Sequence, residues 1–220
     1  MRLATLSLFA GCGLLGAQAP PADIGSTMPS IAQALGVTCN YCHSAERGSG
    51  QPEPKKDIAR QMMTMTRELN TRVQQITGNT SANVECVTCH HGVPIPRQIA
   101  DILMQTLRTK GAAAAAAQYR DLRERFYARE AYDFSEDTLL SLAQRITTSR
   151  PDDAIALLNL NIEYNPKSAR SYAAIGYAYT RKFDDETAIQ YYEKSLEIEP
   201  NNVVRGQLES LKMYRKRKQD

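Results

Sequence analysis

Two pentapeptides carry nearly all the reactive side chains of this chain: "CNYCH", Cys39 to His43, and "CVTCH", Cys86 to His90. Each sets two thiols two residues apart and an imidazole directly after the second. Four of the five cysteines lie in these pentapeptides, and the fifth, Cys12, sits near the N-terminus. Two of the three histidines close the pentapeptides, and the third, His91, follows the second of them.

Three chemistries use such a pattern. Four thiolates suit tetrahedral zinc, but neither histidine is then needed. A CxxC pair is also a redox motif, usually in a strand–helix setting, and the chain has no βαβ pattern. Covalent attachment of c-type haem uses every residue: the thiols bond the haem vinyl groups and the histidine ligates the iron. The two-residue gap puts both sulfurs on one side of a helical turn, beside the imidazole. Haem is therefore the favoured reading. The expected cofactors are two covalently attached haems, held by Cys39, Cys42 and His43 and by Cys86, Cys89 and His90, with His43 and His90 on the irons.

Each iron has a second axial position, which electron-carrying haems fill with Met or His. His91 adjoins His90 and is badly placed to reach the opposite face of the same haem, so methionine is the natural alternative. In "STMPSIAQALGV", Pro29 suits a first helical turn and Gly36 a stop. Met28, Ile31 and Leu35 share a face there. Between the pentapeptides, "KKDIARQMMTMTRELNTRVQQITG" predicts a long helix closed by Gly78. Ile58, Met62, Met65, Leu69, Val73 and Ile76 form its apolar stripe, with Met63 off it. Periodicity does not separate Met62 from Met65 as a ligand, and a methionine on such a face commonly only fills core.

"MPSIAQALGVTCNYCH", "IARQMMTMTRELN" and "VECVTCHHGVPIP", in that order, resemble one two-haem half of the cytochrome subunit of photosynthetic reaction centres. The resemblance covers about Met28 to Pro96. It implies that Met28, on the leading helix, ligates the first iron. It also implies that Met62, the first methionine of the MxxM pair, ligates the second, leaving Met65 to pack. The family carries four haems, whereas this chain has sites for two. The family's loop histidine, which serves the other half, has no counterpart in "QQITGNTSANVE". These departures give no ground for docking on a reaction centre.

Around the sites, the chain divides into three expected parts. Residues 1–19 read as a signal peptide: Met1-Arg2, a short apolar run, then "AQA" before Pro20-Pro21. "FAGC", Phe9 to Cys12, resembles a lipoprotein cleavage box, so a membrane tether follows only if Cys12 is lipidated. Residues 20–97 form the dihaem domain. Residues 98–220 form a helical-repeat domain: Ala154 and Ala188, Ile155 and Ile189, and Pro166 and Pro200 are each 34 apart, the tetratricopeptide period. Gly176, Tyr177 and Ala178 sit where paired helices approach. An earlier degenerate unit is expected over about 111–148, with Tyr119, Tyr127, Phe134 and Leu142 as its core. Tyr164, Tyr172, Tyr177, Tyr179, Tyr191 and Tyr192 read mostly as interhelical core, although they also offer aromatic lining for a groove.

The fold class expected is all-α, a small dihaem domain followed by a repeat solenoid. A net charge of +3 argues neither for nucleic acid nor for an acidic substrate. The basic end "KMYRKRKQD" reads as a solvated helix terminus. The expected function is electron carriage by an exported, periplasmic protein, with no catalytic residue. Its partners would be redox proteins, and the repeats would offer a groove for a protein or peptide. The rival readings are a dihaem peroxidase-like enzyme and a repeat scaffold in which haem is mainly structural.

Overall fold

The computed structural model describes residues 24–43 and 53–219. The expected signal peptide and Cys12 lie outside the described residues. The described chain is all-α: ten α-helices, a 3-10 turn at Cys39–Tyr41, and no strand.

Helix α1, Ile24–Leu35, precedes the 3-10 turn, and α2, Pro54–Thr77, is the long helix between the pentapeptides. Gly78 ends α2 in the left-handed conformation at φ 64°, the ordinary role of a glycine after a helix. The short helix α3, Cys86–His90, is the second pentapeptide itself. Pro29 is not in a first turn. It lies inside α1, which already runs at Ile24. A proline there removes the hydrogen bond to the carbonyl four residues back. That residue, Gly25, is exposed, so water can satisfy its carbonyl.

Seven helices follow: α4 Ile99–Lys110, α5 Ala112–Phe126, α6 Glu136–Ile146, α7 Pro151–Tyr164, α8 Ala169–Arg181, α9 Asp185–Ile198 and α10 Asn202–Gln219. They pack as antiparallel neighbours, α4 on α5, α6 on α7, α8 on α9, with α10 against α9. The pairing corrects the expected early unit. Residues 111–148 would join α5 to α6, whereas the structure pairs α4 with α5 and α6 with α7. Ala154 and Ala188 therefore fall on the second helix of successive pairs, and both are fully buried. Of the four residues expected in the early core, Tyr119 and Leu142 are buried and Phe134 packs against them. Tyr127 is 59% exposed; it instead lies under the Arg123 guanidinium at 4.1 Å.

The main core runs from Ile99 through Leu103, Leu107, Tyr119, Leu139 and Leu158 to Ile175, and a smaller cluster joins α9 to α10. Gly176 permits a close interhelical approach: a Cβ there would stand 2.9 Å from the ring of Tyr192. Tyr179 stacks on Tyr191 at 5.5 Å. Tyr177 is 43% exposed and lines a groove with Arg170, Glu199 and Asn201. Polar staples link the helices, both within the pairs and, through Asn161 and Ser171, from one pair to the next. Buried Asn161 donates through Nδ2 to the Glu136 carbonyl and to Ser171 Oγ, and Ser195 Oγ donates to the Ala169 carbonyl.

The first ninety-odd residues are built differently. Among the described residues before Ile99, only Ala34, His90 and Val93 are buried. Helix α2 has no buried residue, and its apolar positions Ile58, Met65, Leu69 and Ile76 are 40–73% exposed. The apolar faces of α1, α2 and α3 converge on a cleft rather than on a core of their own.

Candidate functional site

The two pentapeptides are joined by their glycines. Gly36 follows α1 at φ +63°, and a Cβ on it would stand 2.2 Å from the Gly92 carbonyl oxygen. The backbones can meet only because no side chain intervenes. The Gly92 N–H donates to the Ala34 carbonyl at 2.8 Å and fastens the contact. Thus α1 leads into the first pentapeptide and packs on α3, the second.

Helix α3 is short and needs fixing at both ends. Its start is a capping box: the Glu85 side chain accepts from the Thr88 N–H, and Thr88 Oγ1 accepts from the Glu85 N–H at 3.0 Å. Such reciprocal bonds satisfy donors that a helix start leaves unpaired. The preceding segment is held by α2. Asn70 Nδ2 donates to the Val84 carbonyl at 2.9 Å, its Oδ1 accepts from the Val84 N–H at 2.5 Å, and Gln74 Nε2 donates to the Ala82 carbonyl.

His90 is 8% exposed, and its Nδ1 lies 2.9 Å from the Val93 carbonyl. A carbonyl only accepts, so Nδ1 carries the proton and Nε2 is left with its lone pair, the state of an imidazole prepared for a metal. His91 is turned elsewhere. It sits in the left-handed region at φ 45°, and its Nε2 donates to the Thr88 carbonyl at 3.0 Å, back onto α3.

A cavity of about 250 Å³ lies between α1, α2 and α3, and His90, Met62, Met63, Cys86 and Cys42 line it together with Ile31, Leu35 and Ile58. A second lobe of about 630 Å³ shares Ile31, Met63 and Cys86 with it and reaches Arg67 and Glu85. Together they fall in the range of small-molecule and cofactor sites, about 300–1,000 Å³. Lys55 lies at the first lobe, its Nζ 3.7 Å from the centroid of the Tyr41 ring.

The sequence-predicted residues can now be placed. The structure brings Met62, His90, Cys86 and Cys42 to one cavity. Neither lobe includes Met65, which is 43% exposed. Met28 is half-buried on α1 and His43 half-buried after the 3-10 turn, and neither lobe includes them. Cys39 is exposed. Cys89 is exposed and lines a third cavity with Arg97, Glu130 and Tyr132, where the helical half approaches the second pentapeptide. Two residues were missed by sequence reasoning. Met63 lies off the apolar stripe yet lines both lobes. Asn70 was visible only as a polar residue in the helix motif, and nothing in periodicity reveals its bond to Val84.

The donor set fits haem. The four described cysteines are unpaired thiols, as thioether formation requires: each S–H adds across a vinyl C=C, with no net oxidation. The lobe holding His90 and Met62 is predominantly apolar, which suits a porphyrin face. Zinc fits less well, because among the described residues no three His, Cys, Asp or Glu gather as a metal cage.

An all-helical chain with two CxxCH segments around an apolar cleft defines a c-type cytochrome, carrying a helical repeat array after it. The chain belongs to the photosynthetic reaction centre cytochrome C subunit family, whose profile matches residues 24–151. A tetratricopeptide repeat profile matches residues 169–202, which span α8 and α9. The first match crosses the boundary expected at 97 and takes in α4 to α6. Among similar curated proteins is the photosynthetic reaction center cytochrome c subunit of Rubrivivax gelatinosus, 35% identical over 80 residues. Those residues are 36% of this chain and 21% of that protein. Cytochrome c-554 of Chloroflexus aurantiacus is 35% identical over 65 residues, 29% of this chain and 16% of that protein. The matched stretches thus span about a fifth or less of these relatives. Membership in this family implies covalently bound c-type haem. No helix among the described residues is long and apolar enough to cross a membrane.

Proposed function

We propose that this is an exported dihaem c-type cytochrome that carries electrons between redox partner proteins and docks through its helical repeats. The observation that carries the reading is the meeting of His90, Met62, Cys86 and Cys42 at one apolar cavity. Bound haem supplies a one-electron couple. Cys39 and Cys42 would tether the first group and Cys86 and Cys89 the second. His43 with Met28, and His90 with Met62, would hold the irons; a peroxidase would instead need one iron free of its methionine. Met ligation raises a potential relative to bis-histidine ligation. The Val93 carbonyl orients His90, and the apolar walls of α1 and α2 exclude water.

Cys42 and Cys86 share a cavity, which supports close spacing of the two groups. Residues 20–97 form the cytochrome part and 98–220 the repeat part, since the continuous core begins at Ile99. The groove beside Tyr177, of about 580 Å³, offers Arg170, Glu199 and Asn201 to a protein or peptide. The signal peptide reading of residues 1–19 supports export to the periplasm.

The test is a spectroscopic redox titration of protein matured in a host that attaches c-type haem. Two low-spin haems per chain by mass and spectrum are expected. Met62→Ala should convert one of them to a high-spin or differently ligated form, whereas Met65→Ala should leave both low-spin. An unchanged spectrum in Met62→Ala would reject Met62 as a ligand. Colourless mature protein would reject the whole reading.

A further inference from the structure

We propose that Arg67 anchors a propionate of the haem attached at Cys86 and Cys89; this rests on the dihaem reading above. Arg67 lies on α2, one turn after Met63, and lines the larger lobe with Cys86, Met63 and Glu85. Its Nε is buried and has no hydrogen-bond partner. Its Nη2 donates to Thr64 Oγ1 at 3.0 Å, a neutral acceptor on its own helix. A guanidinium offers its N–H donors in a planar fork that matches a carboxylate, and a buried donor left without an acceptor costs free energy.

Among the described residues, Arg67 has no ion-pair partner. Glu85, the carboxylate in the same lobe, is committed elsewhere: it accepts from Asn83 Nδ2 at 3.0 Å and from the Thr88 N–H that caps α3. Porphyrin propionates leave the ring on the edge away from the two thioether bonds. Their anchor therefore belongs across the cleft from the CxxCH helix, and Arg67 on α2 faces Cys86 of α3 across that lobe. Guanidinium and carboxylate match as a planar, charge-assisted pair. The pair fixes the rotation of the ring in its cleft. It would also place a positive charge at the edge of the haem and offset the propionate's negative charge, which disfavours the ferric state.

The experiment uses the full mature chain, with Arg67→Gln and Arg67→Lys. Arg67→Gln should keep two attached haems by mass. It should shift one couple about tenfold toward ferric, a fall of about 59 mV for one electron. The affected wave should be the one that Met62→Ala perturbs, and the other should stay. Arg67→Lys should restore most of the potential. In resonance Raman, the propionate bending band of one haem should move in Arg67→Gln. Unmoved potentials, both potentials moving equally, or an unshifted propionate band would overturn the proposal. If Arg67→Gln does not mature, the propionate band in Arg67→Lys decides: it should move while the potentials stay near wild type, because loss of the planar fork alters the bond while keeping the charge, and an unmoved band in Arg67→Lys would overturn the proposal. Wild-type chain without attached haem would instead sink the underlying reading.

Discussion

Gly36→Ala tests the contact on which both pentapeptides depend. Alanine in the left-handed region costs about 1–2 kcal/mol. The added Cβ would stand 2.2 Å from the Gly92 carbonyl oxygen, and the obstacle is backbone rather than a mobile side-chain end. Relief means moving α1 away from the Gly92 turn and stretching the bond from the Gly92 N–H to the Ala34 carbonyl. Overpacking of this kind costs about 1–3 kcal/mol, and a lost hydrogen bond about 0.5–1.5 kcal/mol. A loss near 3 kcal/mol is expected for the cytochrome half. At a urea dependence of about 1–3 kcal/mol per molar, the midpoint should fall by about 1–3 M. The mature protein is unfolded in urea and read by its haem absorption and, separately, by tyrosine fluorescence. Tyr41 is the only one of the eleven tyrosines before residue 98, so fluorescence reports the helical half. Gly78→Ala is the control. Gly78 has φ +64° but nothing within 4 Å of where a Cβ would stand, so it should lose only the left-handed cost of about 1–2 kcal/mol. If Gly36→Ala lost no more than Gly78→Ala, the close approach would be refuted.

Gly176→Ala should destabilise the helical half by about 1–3 kcal/mol, because its Cβ would press the Tyr192 ring at 2.9 Å; thermal melts by circular dichroism should fall while haem spectra hold. Asn70→Ala removes both bonds to Val84 and should cost about 1–3 kcal/mol, with faster hydrogen exchange at 82–90 than in α8 or α9. Asp184 caps α9 by accepting from the Thr187 N–H at 3.1 Å, and that bond lowers its carboxyl pKa. Its contribution is therefore full above the ordinary carboxylate pKa, about 3.9, and is lost as pH falls through the lower folded value. Asp184→Ala should cost about 1 kcal/mol at neutral pH and progressively less in acid, measured by melts across that range.

Much was legible in the linear chain. The spacing of Cys39, Cys42 and His43, repeated at Cys86, Cys89 and His90, points to covalent haem attachment through two residue types, and it needs no tertiary context to be read. The helix from Pro54 to Thr77 and the 34-residue period of Ala154 and Ala188 were equally plain, because local periodicity and punctuation by Gly78, Pro166 and Pro200 set them. The pairing of the repeat helices was not. A period fixes the length of a unit but not its phase, and only packing decided that α6 belongs with α7.

The site divides the same way. Sequence determined that a helix rich in methionine lies between the two attachment segments. Periodicity alone left Met62 and Met65 equivalent, because positions three apart share a helical face in the isolated helix, and only the family resemblance favoured Met62. Tertiary structure separated them: the neighbours of α2 put Met62 and the off-stripe Met63 at the cleft and left Met65 in solvent. It also decided the Gly36–Gly92 contact, the Asn70 clamp and the unsatisfied Nε of Arg67. These are encounters between residues distant in sequence or at odds with a solvated helix face, and no local pattern encodes them.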